Sequence, residues 1–158
     1  MAGTFAVTGP VQAEILALAL NRGNIVLTGP CGPAPWYIQV ERDASPSDVV
    51  FSLAKLNMGE PAVVHSTSWR HARGGIVLTF VAVVDAIDRF DQIPVQRAVL
   101  ARGGPASAPE LVPIEAVIEH GLRHLAWLAS DDPAVAEALP DGWPTALARY
   151  TPEPFRQL

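Results

Sequence analysis

The sequence predicts an α/β domain, one mixed β-sheet covered on both faces by helices, and three stretches carry that expectation. Residues Gly75 to Val84 read Gly-Ile-Val-Leu-Thr-Phe-Val-Ala-Val-Val, almost without alternation, as a strand does when both its faces are buried. Between Pro113 and Ala129 the residues Ile114, Val117, Ile118, Leu122, Leu125 and Leu128 recur at helical spacing, which gives a helix one apolar side. A second helix, from Ser45 to Gly59, has both its ends specified by the sequence. A strand needing two covers and two helices in need of a surface make a layered fold.

Residues 12–20 and 24–28 are apolar stretches split by Asn21-Arg22-Gly23, which reads as a hairpin with glycine in its turn. The first is rich in alanine and leucine, so a short helix is the alternative there. Thr28 to Pro35 holds too much proline and glycine for regular structure, and Trp36 to Glu41 alternates as a half-buried strand does. Ser45 is a natural N-cap, Pro46 suits the first helical position and Asp48 completes a shortened capping box. Gly59, followed by Glu60-Pro61, ends that helix.

Ala62–Trp69 and Gly75–Asp85 read as strands joined by the polar connection Arg70 to Gly74, the second being the central strand of the sheet. Residues 86–94 read as a polar connection, Gln96–Ala101 as a short strand and Gly103–Pro109 as a loop. The helix from Pro113 ends near Asp131-Asp132-Pro133, and the proline-bearing tail that follows reads as short helices and turns.

At 158 residues the chain suits one domain, 1–158, with a C-terminal part of helices and tail over 113–158. Apolar residues at 49% and charged residues at 17% are those of a globular domain, which excludes a disordered or solvating module. The net charge is −5, and the basic residues, ten arginines and Lys55, are scattered. Phosphate backbones need a clustered positive surface, so nucleic acid is not an expected partner. Cys31 is the only cysteine, which rules out an internal disulfide and a multi-cysteine zinc site. Met1 to Thr8 lacks the basic and apolar regions of a secretory signal, and the run from Gly75 to Val84 is about half a membrane span. The expectation is a soluble cytoplasmic protein away from membranes. Arginine in preference to lysine, with much alanine and proline, points to a GC-rich bacterial genome.

Residues 38–60 carry a family resemblance. A Nudix box runs glycine, five residues, glutamate, seven residues, then Arg-Glu-apolar-any-Glu-Glu-any-Gly. Laid so that its last glycine is Gly59, the frame puts Ile38 at the first glycine and Ala44 at the first glutamate. Ser52 and Leu53 then stand for the Arg-Glu pair, and Leu56 and Asn57 for the Glu-Glu pair. Val40-Glu41, Ser45-Pro46 and Gly59 keep the scaffold. With Trp36 on the strand before and a strand pair after, the order of elements over residues 12–130 resembles a Nudix domain whose box is degenerate. The resemblance implies an α/β/α sandwich around a mixed sheet, with the hydrolase chemistry lost. In that family the box carboxylates hold Mg²⁺ or Mn²⁺, and a hard cation needs oxygen ligands that Leu53 and Leu56 cannot supply.

No catalytic residue, metal ligand or cofactor is therefore assigned. The function expected is a non-catalytic binding or interaction module. Its alternative is an atypical hydrolase of a nucleoside diphosphate derivative, using Mg²⁺ or Mn²⁺ or a base displaced to Glu41, Asp43, Asn57, Glu60 or His65. Leu53 and Leu56 make one side of the box helix apolar, so that side is expected to be covered by the chain's own core, by an apolar ligand or by a second copy in a homodimer. His65, His71, Trp69, Arg70 and Arg73 cluster in sequence as a group able to bind a small anionic or nucleotide-like ligand; the plainer reading is a solvated hairpin tip. With Glu41 and Asn57, the residues His65, Trp69, Arg70 and Arg73 are the candidate ligand contacts. His120 and His124 have the i, i+4 spacing of a zinc clamp, but His-Glu-x-x-His is absent and no third ligand is indicated; with Glu119 and Arg123 they read as a polar helix surface. Gly29 and Gly32 make no phosphate loop, because Pro33 and Pro35 prevent a helix start.

Overall fold

The computed structural model describes residues 9–32, 34–100, 112–154 and 156–157; the loop expected at Gly103–Pro109 lies outside them. In chain order the elements are β1 (Val11–Asn21), β2 (Asn24–Thr28), β3 (Trp36–Gln39), α1 (Pro46–Met58), β4 (Val63–Ala72), β5 (Gly75–Val83), β6 (Gln92–Pro94), α2 (Ile114–Asp131), α3 (Pro133–Ala138), α4 (Trp143–Leu147) and β7 (Arg156–Gln157). The strands form a mixed sheet in the order β6-β2-β1-β5-β4-β7, with β3 also paired to β1. β1 organises it: Gln12 to Ile15 bond β3, Ala17 to Asn21 bond β2, and the other edge runs parallel to β5.

Alternation along β1 divides the core in two. Ala13, Ile15, Ala17 and Ala19 join Val50, Ala54 and Met58 of α1, whereas Leu16 and Leu18 join Val117, Leu122 and Leu125 of α2. Successive side chains of a strand point to opposite faces, so each face buries one helix, and the fold is the α/β/α sandwich expected. Trp143, Leu147 and Tyr150 extend the α2 side. β5 lies between β1 and β4 with Val77, Phe80, Val81, Ala82 and Val83 buried, the central strand that its unbroken apolar run implied.

Both hairpins turn on an Arg-Gly pair. Arg22 and Gly23 have φ of 50° and 79°, Arg73 and Gly74 of 53° and 76°, and the strands close at Asn21↔Asn24 and Ala72↔Gly75. Two left-handed residues in a two-residue loop match the twist of the flanking strands, and glycine takes the second place without steric cost. The first apolar stretch is therefore a strand, not the alternative helix. Arg70 to Ala72, expected in a connection, continue β4.

The strand expected at Gln96–Ala101 is not formed within its described part; the strand is Gln92–Pro94, paired to β2 at Val26 to Thr28. Pro94 has no N–H to extend the ladder. Beyond it the Val95 N–H still donates to the Ile25 carbonyl at 3.0 Å, but the Ala98 N–H donates to the Glu119 carboxylate at 3.0 Å, which Arg97 Nε also bonds at 2.7 Å, so a side chain of α2 takes a backbone donor that a longer ladder would have used.

Candidate functional site

The box-like segment folds as its local chemistry directs. The Ser45 hydroxyl accepts from the Asp48 N–H at 3.4 Å, Pro46 opens α1, and Gly59 leaves it at φ 87° while its N–H donates to the Lys55 carbonyl. Of the covers expected for Leu53 and Leu56, the chain's own core does not reach Leu56, which is 81% exposed, while Leu53 is half-buried against the α1-side core. Helix geometry supplies the reason. α1 buries Val50, Ala54 and Met58, one residue per turn, and at about 100° per residue Leu56 stands about 200° round from Ala54, facing water. Leu53 and Asn57 flank the buried stripe. Asn57 Nδ2 donates to the Leu53 carbonyl at 2.9 Å, and the Asn57 carbonyl accepts from Arg89. Ser52 is exposed and Ala44 half-buried. Beside the N-terminal end of α1 a groove of about 560 Å³ is lined by residues including Pro10, Gln39, Glu41, Arg42 and Ala44.

The hairpin candidates are divided between the two faces. A β-bulge between Ser66 and Ser68 shifts the alternation of β4, so that His65, Ser68 and Arg70 pair with Val81, Thr79 and Val77 on the α2 side, whereas Trp69 pairs with Leu78 on the α1 side. An extra residue re-aims all that follows it; without the bulge Arg70 would point away from Glu14. As built, Arg70 grips Glu14 with two hydrogen bonds of 2.8 and 2.9 Å. Thr79 donates to the same carboxylate at 2.9 Å, and the Tyr37 hydroxyl donates to it as well. Burial alone would raise the Glu14 pKa, but the hydrogen bonds of Arg70, Tyr37 and Thr79 and the charge of Arg70 outweigh it and leave it lowered. Tyr37 is pushed up to about 12 by burial and by its bond to Glu14. Arg73 donates to Gln12 at 2.8 Å and lies 4.3 Å over the Tyr37 ring. Trp69 meets His71 edge to face at 5.5 Å. His65 sits 5.3 Å from His124, on the opposite face from Asn57.

The polar residues of α2 are not a helix surface: Glu119, His120 and His124 are buried. They survive there because neighbouring segments supply partners. Glu119 also accepts from Arg123 at 3.0 Å, and its pKa is lowered, burial being outweighed by the donors Arg97, Ala98 and Arg123. His120 Nε2 donates to the Thr67 carbonyl at 3.1 Å, within the bulge, and its Nδ1 lies 3.5 Å from Glu153. Glu153 bonds Arg123 twice, through its carboxylate at 3.1 Å and its N–H to the Arg123 carbonyl at 3.1 Å. His124 is held down to about 4 by burial and by the neighbouring His65 and His120.

Sequence reasoning missed Glu14 altogether. The available signal was a lone acid inside the apolar strand Val11 to Leu20, since a carboxylate in such a strand requires a buried partner. Among the described residues no three His, Cys, Asp or Glu side chains gather as a metal ion would require, so Glu41, Asp43, Glu60 and His65 are not brought together. Among the same residues no helix is long and apolar enough to cross a membrane. Compared with protein-family models and with curated proteins, the chain matches none.

Proposed function

We propose that this chain is a non-catalytic, Nudix-like binding module that associates with a second copy of itself through the outer face of α1. The observation that carries the reading is Leu56, which occupies a box position where the resembling family has a glutamate and which stands 81% exposed. An acid there would be wet and able to hold a cation; a leucine gains about 1.5 to 3 kcal/mol when something buries it fully. A twofold axis beside Leu56 would pack the two Leu56 side chains against each other, the self-complementarity that an isologous contact needs. The groove beside Glu41 and Arg42 is where the module would take a small anionic or nucleotide-like ligand, in a cytoplasmic setting.

Two measurements test this. Sedimentation should show a dimer at micromolar concentration that Leu56→Glu converts to monomer; a wild-type monomer across that range defeats the self-association. A panel of nucleoside diphosphate derivatives with Mg²⁺ or Mn²⁺ should remain intact. Turnover that Glu41→Ala abolishes would replace the module by a hydrolase with a displaced site.

A further inference from the structure

A second cleft lies on the face opposite α1, where the β1–β2 hairpin, the segment leaving β6 and the chain past α4 meet. It encloses about 120 Å³ and is lined by Asn24, Arg97, Arg149 and Tyr150 over apolar walls that include Ile25 and Val95. Two of its lining residues are arginines, and none is an acid. We infer that this cleft is a binding site for a tetrahedral oxyanion, the phosphate group of a small molecule, held between Arg97 and Arg149.

Arg97 is set in place before any ligand arrives. Its Nε donates to the buried Glu119 carboxylate at 2.7 Å, its Nη1 donates to the Arg149 carbonyl at 2.6 Å, and its guanidinium carbon lies 4.5 Å over the Tyr150 ring. These contacts leave Nη2 unused while the side chain stays 48% exposed, so a fixed donor faces the cleft and little ordering cost remains for binding. Glu119 offsets one positive charge from behind. Arg149 supplies another: it is exposed and joins no ion pair among the described residues. Burial and the neighbouring Glu119 raise the Tyr150 pKa, so its hydroxyl stays neutral and sets no charge against an anion. An arginine fork suits carboxylate and phosphate alike, and the placement of the donors decides between them. Arg97 comes from beyond β6, Arg149 from beyond α4, and Asn24, opposite Asn21 at the hairpin end, offers its amide from a third side. A carboxylate presents two oxygens in one plane, whereas a phosphate group presents oxygens to each of these directions. The size agrees, since at roughly 30 Å³ per water the cleft holds about four waters, the bulk of one phosphate group. The site lies across the sheet from Leu56 and from the groove beside Glu41, and is independent of both.

Titration of the whole chain with inorganic phosphate at constant ionic strength, followed by the backbone amide spectrum, tests the site. Saturable shifts at millimolar phosphate should be confined to Gly23, Asn24, Arg97, Arg149 and their chain neighbours. Arg149→Gln, a change at an exposed residue, should keep the wild-type melting temperature and weaken binding about tenfold or more, the loss of one charge-assisted hydrogen bond. Sulfate should compete with phosphate, and acetate should bind about tenfold more weakly or not at all. No saturable shift, the same shifts with chloride alone, or wild-type affinity in Arg149→Gln would each overturn the site. Acetate binding as tightly as phosphate would overturn its assignment to a phosphate group.

Discussion

The two faces of the sheet solve burial differently. Under α1 lie Ala13, Ile15, Ala17, Ala19 and Phe80 against Val50, Ala54 and Met58, an interface of apolar and mostly small side chains. Under and beside α2 the chain buries Leu16, Leu18, Leu122 and Leu125 but also Glu14, Glu119, His120 and His124. The helix that resembles an enzyme's catalytic element is thus chemically plain, and the ionisable groups sit on the opposite face, bound to one another. Charge in a fold marks a reaction centre only where it is left available; here Arg70 and Glu14 saturate each other.

The comparison breaks most readily at that pair. Arg70→Met leaves a buried carboxylate without its cation and should cost about 3 to 5 kcal/mol, measured by urea unfolding. Replacing both partners, Glu14→Leu with Arg70→Met, should recover most of that loss; no recovery would mean that the network holds more than itself.

Acid is the next lever, and it acts on the α2 side alone. The His124 pKa is depressed from 6.5 to about 4, so its contribution is complete above 6.5 and declines as pH falls toward 4, by at most about 3 kcal/mol. Glu14, also lowered, adds a further loss only below its ordinary value of 4.5. Stability measured from pH 7.5 to 4 should therefore fall in wild type and fall less in His124→Phe; parallel curves would remove His124 as the cause.

These features differ in how far the sequence reveals them. Local rules wrote α1 completely, because Ser45, Pro46 and Gly59 act on their own backbone neighbours. The hairpin turns and the central strand were legible for the same reason. The α2 side was not, because its logic is between segments. Glu119 reads as a surface residue until Arg97 and Ala98 are seen to fold back on it. Arg70 reads as a hairpin tip until one bulge at Ser66–Ser68 turns it inward. Even Leu56 depended on phase: its apolar side chain is plain in the sequence, but only the choice of Val50, Ala54 and Met58 as the buried stripe decided that it faces outward.

Smaller effects belong to the α1 side. Ser45→Ala removes a cap and should cost about 1 kcal/mol, read as a shift in the unfolding midpoint. Leu56→Glu should change the stability of the monomer by less than about 0.5 kcal/mol, as exposed substitutions do, while abolishing the proposed association. A large destabilisation of the monomer would show that the side chain is covered after all.

The most direct test of the proposal that α1 holds no metal is a titration of the labelled protein with Mn²⁺ followed by the backbone amide spectrum. A box helix bearing Leu53, Leu56 and Asn57 in place of acids predicts no localised broadening of the amides from Ser52 to Gly59 at micromolar metal. Selective loss of those signals, reversed by Mg²⁺ or a chelator, would contradict it.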